Sequence, residues 1–185
     1  MELIGWDDFY GTPVALDPFS TTFNPTTFTP TLSTTPKVVV SKTTNLKVGD
    51  QIVVWGSGFD PNANTGTRPP FSGQKSGNYV IFGRFQSVWQ PSLGSTQAPS
   101  SSRHVIDQRW AVPAASRAIV DPTGTNASYV TISPTGTWEA VLTVGAGTAT
   151  SGSYGVYTYP GSGATNAAHE LAVPVTVGFT PPAAG

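Results

Sequence analysis

Cysteine is absent from the 185-residue chain, which excludes disulfides and thiolate metal sites. Charge is scarce and balanced, with nine Lys and Arg against ten Asp and Glu and a formal net charge of −1. Binding to a phosphate backbone needs a basic stripe, so nucleic acid is not an expected partner. No apolar run approaches the ~20 residues a membrane-spanning helix requires, so no membrane partner is expected either. Strong helix formers are few. The first residues, Met1-Glu2-Leu3-Ile4-Gly5-Trp6-Asp7-Asp8, hold no cationic segment and no continuous apolar stretch. They do not read as a signal peptide, and the expectation is a protein made and used without the secretory route.

What the chain does contain is turn and strand material. Gly (20) and Pro (17) together make up about a fifth of it, and Thr, Ser and Val are plentiful. That is β-rich composition with many turns. The length suits one domain plus an extension.

The two parts differ in texture. Residues 1–36 are Thr- and Pro-rich like a linker, with prolines at 13, 18, 25, 30 and 36 that forbid a long helix and favour extended backbone. Yet they carry Trp6, Phe9, Tyr10, Phe19, Phe23 and Phe28. A free tail has no use for large apolar side chains, because it cannot bury them. The segment therefore reads as an extended arm that docks on another protein through those six rings. It holds Glu2, Asp7, Asp8 and Asp17 and no Lys or Arg, whereas residues 37–185 hold nine cations and six acids. Opposite signs would guide the arm onto a neighbour's body over a screening length of about 8–10 Å.

From Lys37 onward, short β-branched and aromatic runs alternate with turn residues. Strands are expected at Lys37–Ser41, Gln51–Trp55 and Asn78–Phe85, the last central because it is so apolar. His104–Val112 reads as a strand or an irregular edge. Ser128–Ile132 and Thr137–Val144, joined by Ser133-Pro134-Thr135-Gly136, read as a hairpin. Tyr154–Tyr159 follows, then Leu171–Phe179, where Pro174 marks an edge position. With no helical period, the expected class is all-β: an Ig-like β-sandwich of seven to eight strands over residues 37–185.

A family likeness points the same way. Its carriers are Val38 to Leu46, Gly49-Asp50, Gly56-Ser57-Gly58-Phe59-Asp60-Pro61, Thr65-Gly66-Thr67-Arg68-Pro69-Pro70, Tyr79 to Phe85, and Tyr154 to Ala164. Through these, residues 37–178 resemble a small Ig-like domain of actinobacterial cell-surface and secreted proteins, some of which carry haem-uptake modules. The resemblance implies a fold and brings no catalytic residues with it. Those surface proteins normally carry a leader and often an anchor, features not expected of this chain. Actinobacteriophage capsids and tails, assembled in the host cytoplasm, are similar sources of such modules.

Constellations for chemistry are sparse. His104 and His169 are the only histidines and lie far apart in sequence, so each is expected on the surface or at a rim. Asp7-Asp8 with Asp17 sit on a Pro-rich arm, whereas a glycosidase needs its two carboxyls fixed in a rigid cleft. Gly145-Ala146-Gly147 lacks the Lys of a phosphate loop. Asp50, Asp60 and Asn62 show no calcium-loop spacing. No catalytic, metal or cofactor residue is therefore assigned, and no enzyme is expected. Trp55 and Trp138 fall inside strand patterns and are expected in the core. Trp89 and Trp110 flank a long loop and are the candidates for an exposed binding face, as a sugar platform or a clasp for a neighbouring subunit.

The expected function is a non-enzymatic structural protein of a bacteriophage particle, a capsid decoration (cement) or minor tail protein located in the virion. Its partners would be the major capsid or other virion proteins, with further copies of itself in the assembly and a host surface glycan as a further candidate. The alternative is an extracellular, cell-surface Ig-like binding module recognising glycan or protein.

Overall fold

The computed structural model describes the backbone of residues 4–6 and 13–15 and the whole of residues 35–178. The chain divides into two compact units, Met1–Pro30 and Thr31–Gly185. In the first, β1 (Ile4–Trp6) pairs antiparallel with β2 (Pro13–Ala15).

The second unit is all-β with one short helix, built as two sheets over a shared core. The smaller sheet comprises β3 (Lys37–Val40), β4 (Gln51–Ser57) and β8 (Trp138–Thr143), antiparallel and in the order β3-β4-β8. The larger comprises β5 (Asn78–Phe85), β6 (Arg103–Pro113), β7 (Tyr129–Ile132), β9 (Ser153–Pro160) and β10 (Leu171–Pro174), in the order β10-β9-β5-β6-β7. Every pair in it is antiparallel except β6 with β7.

Period-two alternation builds the core. On β4, Ile52 and Val54 point inward; on β8, Trp138, Ala140 and Leu142 do. The register sets Ile52 opposite Leu142, Val54 opposite Ala140 and Gly56 opposite Trp138. The last pair works only with glycine, because a Cβ at 56 would run into the Trp138 indole. The larger sheet answers with Val80, Phe82, Ala111 and Val156, while Leu46 and Phe59 close the ends. Burying each of these larger side chains contributes roughly 1.5–3 kcal/mol.

Strand positions follow the sequence reading closely at Asn78–Phe85, which is central as expected, flanked by β6 and β9. The last strand stops at Pro174 on the sheet edge. Two expectations are corrected, and one left open between strand and irregular edge is decided. First, the 128–144 hairpin does not form. The turn exists, with Gly136 N donating to Ser133 O and Ser133 N to Thr137 O, but the strands part into different sheets. A hairpin and an arch between sheets share the same turn residues; what separates them is that β8 must face the core beside β4. Second, His104–Val112 lies within an eleven-residue strand paired on both sides. Third, Ala114–Val120 is a helix, α1. Parallel β6 and β7 need a crossover, and α1 supplies it, with Ser116 Oγ donating to Lys75 O.

Candidate functional site

The outer face of the larger sheet is where this fold departs from an ordinary half-solvated sheet. Position 79 of β5 lies beside 159 on β9 and beside 110 on β6, and Ile81 beside Tyr157 and Gln108. All these side chains stand on the side away from the shared core. Ile81, Phe85, Trp89 and Tyr157 form a buried second cluster, with Tyr79 and Tyr159 packed on it. The Phe85 and Tyr157 rings stack at 4.0 Å, and Trp89 meets Tyr157 edge-on at 5.3 Å. Phe71, Trp110 and Val112 make a third cluster alongside.

Two long polar loops cover this aromatic face. The 86–102 loop is drawn down by Arg103, whose guanidinium donates to Trp89 O at 2.6 Å and Ala98 O at 3.2 Å. Ser92 ties the same loop to Glu170 through its amide (2.8 Å) and hydroxyl (2.6 Å). The 60–77 loop is fixed where the amides of Thr67 and Arg68 donate to Ser162 O, and its Phe71 is fully buried. Gly163 makes the close approach: it has φ +75°, and a Cβ there would sit 2.6 Å from Thr67 Oγ1 and 2.9 Å from Arg68 Nε.

Where the two loops and the segment after β9 converge, they leave an open cleft of about 650 Å³. Its floor is Tyr79, Gln108 and Tyr159, and its walls include Pro91, Ser100, Arg103, Arg68 and Thr165. Two guanidinium groups and no carboxylate line it. The Arg103 guanidinium lies over the Tyr159 ring, 5.6 Å from its centre. Burial pushes the Tyr159 hydroxyl above its ordinary pKa of 10.0, with the Arg103 charge acting in the opposite direction. Tyr159 is therefore a neutral hydrogen-bonding group at neutral pH. Arg68 is exposed and has no ion-pair partner among the described residues.

The residues singled out from sequence fall elsewhere. Trp89 and Trp110 are only 5% and 8% exposed, a correction to the idea that they form an exposed face. Trp89 lies under the 86–102 loop, and the Trp110 indole donates to Ser76 O at 2.7 Å and packs on Phe71 at 4.9 Å. Trp138 is in the core as expected, but Trp55 is 42% exposed, with its indole donating to Glu139 Oε2. Trp55 is the odd-phase residue of β4, and odd positions on that strand face out. Phe9, Tyr10, Phe19, Phe23 and Phe28 lie outside the described residues, as do Asp7, Asp8 and Asp17. Trp6 closes β1, where only the backbone is described.

His169 is corrected too. It is 4% exposed, its Nδ1 2.9 Å from Asn64 Nδ2 and 3.0 Å from Asn78 Oδ1, and its own carbonyl accepts from Thr158 Oγ1. Burial holds its pKa below the ordinary 6.5, against a smaller opposing pull from Asp60. His104 Nε2 accepts from Thr148 N at 3.2 Å. Among the described residues, no group of three or more His, Asp or Glu could hold a metal ion.

Asp121 is also committed to structure. Its carboxylate accepts the Thr125 and Asn126 amides and pairs with Arg117 at 3.1 Å. Burial would raise its pKa, but these partners outweigh that and hold it below the ordinary 3.8. Asp50 and Asp60 each accept an amide of their own turn, from Lys47 and Asn62.

Sequence reasoning missed the cleft residues Arg68, Tyr79, Arg103, Gln108 and Tyr159. Two signals were available. Strands 78–85 and 153–160 carry large rings on both phases, which requires cover on both faces. Residues 61–106, which include both covering loops, also hold four cations and no acid, and two of them, Arg68 and Arg103, line the cleft.

The chain matches no family model, no curated protein and no solved structure.

Proposed function

We propose that the protein is a non-enzymatic structural protein of a bacteriophage particle, a capsid decoration or minor tail protein with an Ig-like body on display and its N-terminal segment as the attachment. The observation that carries this reading is the use of polar chemistry in the body. His104, His169, Asp107 and Asp121 all hold loops or strands in place, Asp107 by accepting from Thr143 N at 2.7 Å. The Ig-like assignment draws support from strand order. In the usual lettering β3, β4 and β8 stand where A, B and E do, and β10, β9, β5 and β6 where G, F, C and C′ do. Tyr157 Oη donates to Ser153 O four residues upstream on the strand in the F position, similar to a tyrosine-corner bond.

The attachment rests on ring burial: each aromatic buried against a partner contributes roughly 1.5–3 kcal/mol, a gain set against the cost of ordering the segment. Its test keeps the chain at full length. Trp6, Phe9, Tyr10, Phe19, Phe23 and Phe28 are changed together to Ser, and incorporation is measured by co-sedimentation with particles assembled from the neighbouring genes. Loss of incorporation with an unchanged circular dichroism spectrum is expected; undiminished incorporation overturns the reading.

A second reading, an Ig-like recognition module of the actinobacterial cell surface, is favoured by one observation. The outer sheet face carries a formed, cation-lined cleft. Display and recognition are compatible on one body.

A further inference from the structure

We infer that the cleft over Tyr79 and Tyr159 binds an acidic saccharide, a sugar bearing a carboxylate or sulfate group, with Arg68 and Arg103 holding the oxyanion. The inference rests on the recognition reading above, that the outer face binds a ligand at all.

The volume of about 650 Å³ lies within the ~300–1,000 Å³ usual for small-ligand sites. The charge decides the first requirement. The two guanidiniums on the lining have no carboxylate among them, and Glu170, which meets the 86–102 loop, accepts the Ser92 amide and hydroxyl. Arg103 cannot swing away, because one of its nitrogens is fixed on two backbone carbonyls. The guanidinium, which also engages the Tyr159 side chain, has the planar fork geometry that matches a carboxylate or a sulfate. Arg68, exposed and unpaired, supplies the second cation across the opening.

The rest of the lining decides the class. Tyr79, Pro91 and Pro160 put apolar surface on the lining for the C–H face of a pyranose, while the Tyr159 ring carries the Arg103 guanidinium. Ser95, Ser100, Gln108 and Thr165 add side chains that both donate and accept hydrogen bonds. An extended acidic peptide finds no ladder here, because β5 is paired on both sides. A nucleic acid strand would need a longer basic track than two arginines.

The test uses the full chain and titration calorimetry with four probes: a heparin tetrasaccharide, trigalacturonate, cellotriose and inorganic sulfate. Binding of at least one of the two acidic sugars is expected, with cellotriose and sulfate each at least tenfold weaker. Which acidic sugar binds distinguishes sulfate from carboxylate. Arg68→Ala is expected to weaken that binding about tenfold and Arg68→Glu to abolish it. Arg68 is exposed and its side chain makes no hydrogen bond or ion pair among the described residues, so both variants are expected to keep the fold. NMR shifts of the Arg103 Nε–H and Tyr159 ring signals on addition of sugar place the ligand. Equal binding of cellotriose overturns the acidic requirement while leaving recognition standing. Equal binding of sulfate reduces the site to an ion site and overturns the saccharide. Binding of no probe overturns the inference and removes the support for recognition, and unchanged affinity in Arg68→Glu overturns the assigned site.

Discussion

The two sheets of the body solve the same problem on their inner faces and opposite problems on their outer ones. Inside, both send alternate side chains into one core. Outside, the three-stranded sheet leaves Val39, Trp55 and Val141 in solvent, the usual condition of an antiparallel sheet with one face solvated. The five-stranded sheet instead buries Ile81, Phe85 and Tyr157 on its outer face under two loops. Loops are expected on the surface, with their backbones in water. Here they double as cover, and the place where they fail to close is the cleft. The cleft in this fold therefore comes from the incomplete roof over a second core.

That comparison breaks if the outer cluster proves ornamental. Phe82→Ala removes a fully buried ring from the shared core, and Phe85→Ala removes one from the outer cluster. Both are expected to cost about 3–5 kcal/mol in urea denaturation followed by tryptophan fluorescence. A cost below about 1 kcal/mol for Phe85→Ala would mean that the loops are a loose lid. The outer face would then behave like that of the smaller sheet.

A smaller effect comes from the polar node behind the cleft. His169 is buried neutral between Asn64 and Asn78, with its pKa held below 6.5. The unfolded chain takes up a proton near pH 6.5 while the folded one resists it. Stability is therefore complete above pH 6.5 and falls as the pH drops toward the folded value. In thermal melts His169→Gln is expected to start lower in stability and to lose this slope. A slope unchanged in the variant would show that His169 is not the group responsible.

How much of this was readable beforehand differs by level. Strand positions were legible, because β-branched runs between Gly and Pro carry their own boundaries, as at Asn78–Phe85. Pairing was not. Ser133-Pro134-Thr135-Gly136 specifies a reversal of direction, and the choice between a hairpin and an arch lies with residues far away, on β4 and β6. The seven-residue α1 escaped because one helical turn or two leave too short a period to see. The cleft was half legible. Its charge asymmetry over residues 61–106 is plain, but its floor is assembled from three strands brought together only by folding. Trp89 and Trp110 illustrate the cost of reading loop position as exposure. A tryptophan beside a long loop reads as free, whereas here the loop folds back and buries it.

The smallest predicted effect sharpens the contrast most. Trp55 and Trp89 are the same residue type, one 42% and the other 5% exposed. Trp55 stands on the outer face of β4, where its indole reaches Glu139 in the cross-strand pair with β8. Losing it removes an exposed hydrogen bond and part of one ring's burial, so Trp55→Ala is expected to cost no more than about 1 kcal/mol. Its fluorescence should be red-shifted and readily quenched by acrylamide, so the quenchable share of the emission should fall in the variant, while Trp89, Trp110 and Trp138 contribute as shielded rings. If Trp55→Ala were instead to cost as much as Phe85→Ala, the smaller sheet would owe its stability to a covered outer face as well. The contrast between the outer faces of the two sheets would then be lost.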